Sequence, residues 1–167
     1  MLADALLIID MQNAVCFQQE KIYHFDELVT LINHRIDEYD KNHKPIIFVQ
    51  HSDKNLLKNT KEWEIIDHLQ KNKADYFIDK HFSSAFYQTE LDNLLKQLNI
   101  ENLEICGAET PFCIEATLQS AHLLGYKLQM KKGATTTNYT QFMTAENTIK
   151  HYETIWGYDP RFLTLFE

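Results

Sequence analysis

Short, continuous apolar runs alternating with stretches of helical periodicity constrain this 167-residue chain more than any other feature. Ala5 to Ile9, Pro45 to Gln50, Tyr76 to Ile78, Leu103 to Cys106 and Tyr126 to Met130 are short and rich in Ile, Val, Leu and aromatics, and read as strands. Between them Phe25, Leu28, Val29, Ile32, Ile36 and Tyr39 recur at spacings of three and four, and Leu91, Leu94, Leu95 and Leu98 do the same. Strands that are apolar throughout, rather than on alternate residues, are buried on both faces. The pattern therefore predicts an α/β fold: a mostly parallel, doubly wound sheet with helices on each side, in three layers.

A hydrophobic content of 44% over this length suits one compact domain spanning residues 1–167. No repeat, low-complexity tract or Pro- and Gly-rich linker interrupts it, and the four glycines fall at expected element ends. Ser52 to Lys73 is the least regular stretch, with Trp63, Ile65 and Ile66 as its anchors. A further helix is expected from about Thr144 to Ile155. The closing Phe162-Leu163-Thr164-Leu165-Phe166 reads as either a last strand or a docking tail.

The formal net charge of -8 argues against nucleic acid or an anionic membrane surface as partner, because either selects a basic patch and the lysines here are interspersed with acids. Met1 to Asp10 lacks a basic leader and its apolar run is too short to span a bilayer. Cys16, Cys106 and Cys113 form no C-x-x-C pair, and an odd count does not suit a secreted disulfide framework. A reducing cytoplasm is the expected location.

In sheets of this kind ligands bind beyond the carboxyl ends of the strands. Three chemically capable residues fall there. Asp10 closes the first apolar run, Lys80 follows Tyr76-Phe77-Ile78-Asp79, and Cys113 follows the Leu103 to Cys106 run after a Gly-containing turn. Thr110 and Pro111 suit the N-cap and first residue of a helix, which places Cys113 in a first turn whose N–H groups favour a thiolate. If the strands are parallel neighbours, a base, a cation and a sulfur nucleophile converge on one crevice.

The segments Leu7 to Asn13, Lys80 to Phe86 with Thr89 and Leu91, and Gly107 to Thr117 with Ala121 and Gly125-Tyr126 resemble the isochorismatase-like cysteine hydrolases, which include nicotinamidases and N-carbamoylsarcosine amidases. The resemblance covers nearly the whole chain in order and spacing. It implies an Asp-Lys-Cys triad at Asp10, Lys80 and Cys113, an oxyanion hole from the backbone N–H groups of Glu109 and Cys113, and a cis peptide between Ala108 and Glu109. The implied reaction is hydrolysis of a carbon–nitrogen bond, amide or ureido-type, in a small molecule through a thioester. Relatives that cleave isochorismate typically lack the cysteine, so Cys113 favours C–N chemistry.

Plainer readings stand beside these. Cys16 and Cys106 are expected to be inert buried thiols. Asp10 alone could be a cap and Lys80 a solvated charge. A catalytically silent binding module of the same fold, or a thiol redox protein using Cys113 with Cys106, are the rival classes. Nicotinamidases of the family hold a divalent ion through an Asp-x-His pair and a further His. Here His51-Ser52-Asp53 has the reverse order, so no metal or other cofactor is expected, with His51, Asp53 and His68 as weak candidates. Phe86 first, then Phe17 and His81, are the candidate pocket walls, among aromatics that include Phe82, Phe112 and Trp63. Relatives form dimers or tetramers, so a homo-oligomer is expected, with Trp63 on its interface.

Overall fold

A computed structural model describes residues 2–167. Its centre is a seven-stranded sheet in which every pairing is parallel. In chain order the strands are β1 (Ala5–Ile9), β2 (Ile46–His51), β3 (Tyr76–Lys80), β4 (Asn102–Ala108), β5 (Lys127–Lys131), β6 (Thr135–Thr136) and β7 (Thr164–Phe166). The helices are α1 (Asn13–Cys16), α2 (Phe25–Lys41), α3 (Leu91–Gln97), α4 (Glu115–Leu123) and α5 (Ala145–Trp156). Across the sheet the order is β3-β2-β1-β4-β5-β7, with β6 pairing β4 beyond the end of β5.

Crossovers from β1 through α2 to β2 run one way across the sheet, and those from β3 to β4 and from β4 to β5 run the other. Right-handed connections therefore put α2 on one face and α3 and α4 on the opposite one. Side chains agree: the Tyr126 hydroxyl, before β5, donates to Asp92 of α3 at 2.8 Å, and Thr117 of α4 takes the Ala85 N–H at 3.0 Å. All five β1 residues are buried, as a strand covered on both faces requires. The α2 stripe holds Phe25, Leu28, Val29, Ile32, Ile36 and Tyr39, all buried. The reversal of crossover direction falls between β1 and β4, and that is where a doubly wound sheet opens a crevice at its carboxyl edge.

The expected elements are all present, with ends displaced for identifiable reasons. Pro45 has no N–H for the ladder, so β2 starts at Ile46, while the Pro45 carbonyl still accepts from Leu6 N at 2.9 Å. β2 and β3 run on to the pair His51 and Lys80, so Lys80 is the last residue of a strand rather than the first of a loop. Thr144 caps α5, accepting from Asn147 N at 3.2 Å. The terminal apolar segment pairs with β5 as a strand. Between Ser52 and Lys73 the regular structure is a 3₁₀ turn at Lys71–Lys73 and a bridge from Ile65 to Gln12, with Ile65 and Ile66 buried as anchors. Trp63 departs from expectation: it is half-buried under the Lys58 ammonium rather than an exposed interface aromatic. Among the described residues no helix is long and apolar enough to cross a membrane.

One polar cluster lies inside the core. Glu104 of β4 is 1% exposed and accepts from Arg35 Nη2 at 2.7 Å, Tyr39 OH at 3.0 Å and Gln129 Nε2 at 2.7 Å. Removing the carboxylate leaves the buried guanidinium with Glu38 as its remaining ion-pair partner, so Glu104→Ala is expected to lower the unfolding free energy by about 3 kcal/mol, read from urea denaturation.

Candidate active site

Asp10, Lys80 and Cys113 meet at the switch point. Asp10 follows β1 with φ of 50° and is 2% exposed. Lys80 starts from β3, two strands and thus about 10 Å from β1, and only a long side chain spans that gap. Its Nζ lies 2.8 Å from Asp10 Oδ2 and 3.2 Å from Cys113 Sγ, and Lys80 is fully buried. The Phe82 carbonyl at 3.2 Å and His51 Nδ1 at 3.4 Å complete its surroundings. Among the described residues no donor meets Asp10 Oδ1 with hydrogen-bonding geometry, although the Cys113 thiol is close enough to this carboxyl for each to act on the other's ionisation.

The electrostatics correct one expectation. Burial, reinforced by the Asp10 carboxylate, pushes the Cys113 thiol up to about 12 against the opposing pull of Lys80. Burial likewise raises Asp10 above its ordinary value, with Lys80 and Cys113 pulling the other way. The resting sulfur is therefore a protonated thiol, not the preformed thiolate that a helix first turn suggested. Asp10 and Cys113 each act on the other's ionisation, so the two titrate as a pair.

Local backbone explains how the sulfur reaches this position. Gly107 has φ of 120°, and a Cβ there would sit 2.2 Å from the Ile9 carbonyl oxygen, so only glycine lets β4 pass this close to β1. The Ala108–Glu109 peptide is cis. Thr110 does not cap: its hydroxyl is taken by Thr135 Oγ1 at 3.0 Å and the Thr136 carbonyl at 3.1 Å, tying the turn to β6. Thr110–Ile114 is one wide π turn carrying Cys113 ahead of α4. The Glu109 carboxylate accepts from Thr137 Oγ1 at 2.9 Å and Asn138 N at 3.1 Å, fixing that segment beside the turn.

Other candidates land elsewhere. Phe86 is buried in the core, its ring 5.6 Å from that of Tyr126. His81, one residue past the end of β3, is exposed, and its Nδ1 lies 2.9 Å from the Ser52 carbonyl. Phe17 stays at the carboxyl edge, 37% exposed, its ring 4.9 Å from Phe25. Phe82 and Phe112 are exposed beside Lys80 and Cys113. Cys16 and Cys106 are buried, and burial lifts both thiols, Cys16 to about 12. The Cys106 thiol donates to the Leu7 carbonyl at 3.7 Å inside the sheet, which leaves it no role as a resolving partner.

One contributor had no clear signal in the sequence, and a second, His51, reads there only as a weak metal candidate. Gln12, fully buried, donates to the His51 carbonyl at 3.0 Å and the Trp63 carbonyl at 2.8 Å and accepts from His51 N at 2.8 Å. It clamps the end of β2 to the irregular segment. His51 turns its ring to Lys80 rather than toward a ligand set. Among the described residues no three His, Cys, Asp or Glu side chains gather as a metal site. His68 packs on Phe25 at 5.2 Å, and the His51 and Asp53 side chains bind each other. This donor set does not fit the divalent ion of the nicotinamidases.

The family model for the isochorismatase domain matches residues 4–153. The chain belongs to the isochorismatase family. A crystal structure of an isochorismatase family protein superposes with a TM-score of 0.92 at 37% identity, covering 98% of this chain and 97% of that one. Ureidoacrylate amidohydrolase RutB of Acinetobacter baylyi is 38% identical over 71 residues, 42% of this chain and 29% of its own length. Nicotinamidase 3 of Arabidopsis thaliana is 26% identical over 154 residues, 80% of this chain and 73% of its own. The alignments to ureidoacrylate amidohydrolases span about a third of those proteins' lengths. The isochorismatase-family sheet thus accounts for the whole scaffold on which Asp10, Lys80 and Cys113 meet.

Proposed function

We propose that this protein hydrolyses a carbon–nitrogen bond, amide or ureido-type, of a small molecule through a thioester on Cys113. The observation that carries this reading is the Lys80 ammonium bridging Asp10 at 2.8 Å and Cys113 at 3.2 Å in a buried pit. Family relatives named as a ureidoacrylate amidohydrolase and a nicotinamidase support the bond type.

The raised thiol makes proton transfer part of the first step. Asp10 takes the thiol proton as sulfur attacks the carbonyl carbon, and Lys80 stays beside the anion. The backbone N–H groups of Glu109 and Cys113 face the tetrahedral oxyanion, a contribution worth about 10²–10³ in rate for each donor. Asp10 then passes its proton to the leaving nitrogen, and the amine departs from the thioester. A water gives a proton to Asp10, its oxygen attacks the thioester, and return of that proton to sulfur releases the acid and restores the thiol. One amide and one water yield one acid and one amine. The raised Asp10 suits both roles, since it holds a proton more readily than an ordinary carboxylate.

A cleft of ≈ 680 Å³ runs between the 18–23 loop and residues 138–146, bordered by the Asn138 that Glu109 holds. Its lining includes none of Asp10, Lys80 and Cys113, so it lies beside the reacting groups rather than around them. The deciding experiment incubates the protein with a panel of carboxamides and ureido acids, including nicotinamide and ureidoacrylate, and follows ammonia. Binding to panel members with no turnover would favour the silent-module reading instead.

The proposal includes self-association. Leu123, Tyr139, Phe142 and Tyr158 are largely exposed and are better interface candidates than Trp63. Light scattering is expected to report a multiple of the 19.7 kDa chain mass, and a monomer at all concentrations would remove this part of the reading.

A further inference from the structure

Lys80 has more acceptors than hydrogens. Asp10 Oδ2 at 2.8 Å, Phe82 O at 3.2 Å, Cys113 Sγ at 3.2 Å and His51 Nδ1 at 3.4 Å compete for three N–H bonds. Asp10 and the Phe82 carbonyl are fixed oxygen acceptors and hold two of them. The third is divided between a sulfur and an imidazole nitrogen. A neutral thiol or a thioester sulfur is a weak acceptor and a thiolate a strong one, so this hydrogen has reason to move during a catalytic cycle.

The imidazole can accept only if Nδ1 carries no proton, and the far side of the ring secures that. His51 Nε2 lies 3.4 Å from Asp53 Oδ2, so the tautomer with its hydrogen on Nε2 donates to the carboxylate and leaves Nδ1 open. Asp53 is itself held, its Oδ1 accepting from Asn55 N at 2.7 Å and Leu56 N at 2.9 Å. These same backbone bonds keep the Asp53 carboxyl below its ordinary value, so it is ionised and can only accept. The chain Asp53 to His51 to Lys80 thus ends on the hydrogen that Cys113 competes for.

We propose that His51, with its tautomer set by Asp53, is a positioning residue that holds the third Lys80 hydrogen away from Cys113 whenever the sulfur is uncharged and releases it when a thiolate forms. The two side chains whose order departs from the metal motif then serve the ammonium rather than an ion. The inference rests on the reading of Cys113 as the nucleophile. It predicts that removing the competitor leaves the hydrogen to sulfur and favours the thiolate.

The test follows alkylation of Cys113 by iodoacetamide at fixed neutral pH, with the modified residue assigned by mass spectrometry. Losing one hydrogen-bond competitor for a charged group lowers the thiol by about one pH unit, and the accompanying drop in intrinsic nucleophilicity leaves a net acceleration of about threefold. His51→Leu is expected to show it. His51→Asn, whose amide oxygen can take the place of Nδ1, is expected to return the rate toward wild type.

Asp53→Asn separates positioning from mere support. It is nearly isosteric, but with its oxygen held by the Asn55 and Leu56 N–H groups it turns an amide donor to Nε2. That forces the ring hydrogen onto Nδ1, facing the ammonium, and the rate should again rise about threefold. In the His51→Asn background no ring remains to change tautomer, so adding Asp53→Asn should change nothing. Wild-type rates in both His51→Leu and Asp53→Asn would overturn the proposal, as would stoichiometric divalent metal in the purified protein that both substitutions release. Labelling confined to Cys16 or Cys106 would instead overturn the nucleophile assignment itself, a separate outcome.

Discussion

Cys113→Ala is expected to end ammonia release from every substrate that the wild-type protein turns over, with a loss of at least about 10⁴-fold in kcat. The size follows from the chemistry: without sulfur no thioester forms, and Asp10 and Lys80 are left beside a methyl group with neither a nucleophile to deprotonate nor an anion to steady. The variant should keep its fold, because Cys113 is only partly buried and its removal leaves the Asp10–Lys80 pair intact. Ammonia release that survives the substitution would remove the nucleophile assignment.

The same variant carries a stability signature of known sign. The folded Cys113 thiol, raised from 9.0 to about 12, binds its proton more tightly than the unfolded chain does. That contribution is fully present below about pH 9 and is lost as pH rises toward about 12. Cys16, raised in the same way, adds to the loss. Thermal midpoints of the wild type should therefore fall with rising alkalinity, and those of Cys113→Ala should fall less. Equal decline in the two proteins would contradict a thiol held protonated by burial and a neighbouring carboxylate.

The scaffold was legible in the sequence because burial on both faces leaves unbroken apolar runs, and such runs sit in β1 and β2 with little else to explain them. Asp10 and Lys80 were legible for a related reason: a charge at the end of an apolar strand is costly unless it has a partner. The protonation state of Cys113 was not legible. A helix first turn favours a thiolate, but the opposing terms, burial and the Asp10 charge, come from packing and from β1, about a hundred residues away along the chain. The burial of Phe86 was not legible, because it depends on Ser84 bonding to Ser120 of α4 at 2.7 Å and the Ala85 N–H to Thr117 at 3.0 Å. Gln12 carries no signal of its own in the sequence, and His51 reads there only as a weak metal candidate, because an amide and an imidazole become informative only when β1 and β2 are side by side and the carbonyl of Trp63 is brought over Gln12.

Gly107→Ala is expected to be the most damaging change outside the triad. A methyl group at this position would lie 2.2 Å from Ile9 O, 2.8 Å from Ile9 N and 3.0 Å from Ile9 C, all backbone atoms of a fully buried strand. No side chain can swing aside to relieve these contacts, and φ of 120° is itself disfavoured for alanine. Either β4 separates from β1, giving up the Ile9 and Gly107 pairing, or the backbone beyond Gly107 shifts. The first route should cost about 4 kcal/mol or more in denaturant unfolding. The second moves the Ala108–Glu109 peptide and the turn bearing Cys113 relative to Asp10, and a misplacement of about 1 Å is enough to cost about 10²-fold in rate. Both routes spare Gly125 and Gly133, where an added Cβ meets nothing within 4 Å. Their positive φ still makes alanine strained, yet Gly133→Ala should retain turnover where Gly107→Ala loses it. A Gly107→Ala protein with wild-type stability and activity would mean that the close approach of β1 and β4 does not hold the sulfur in place.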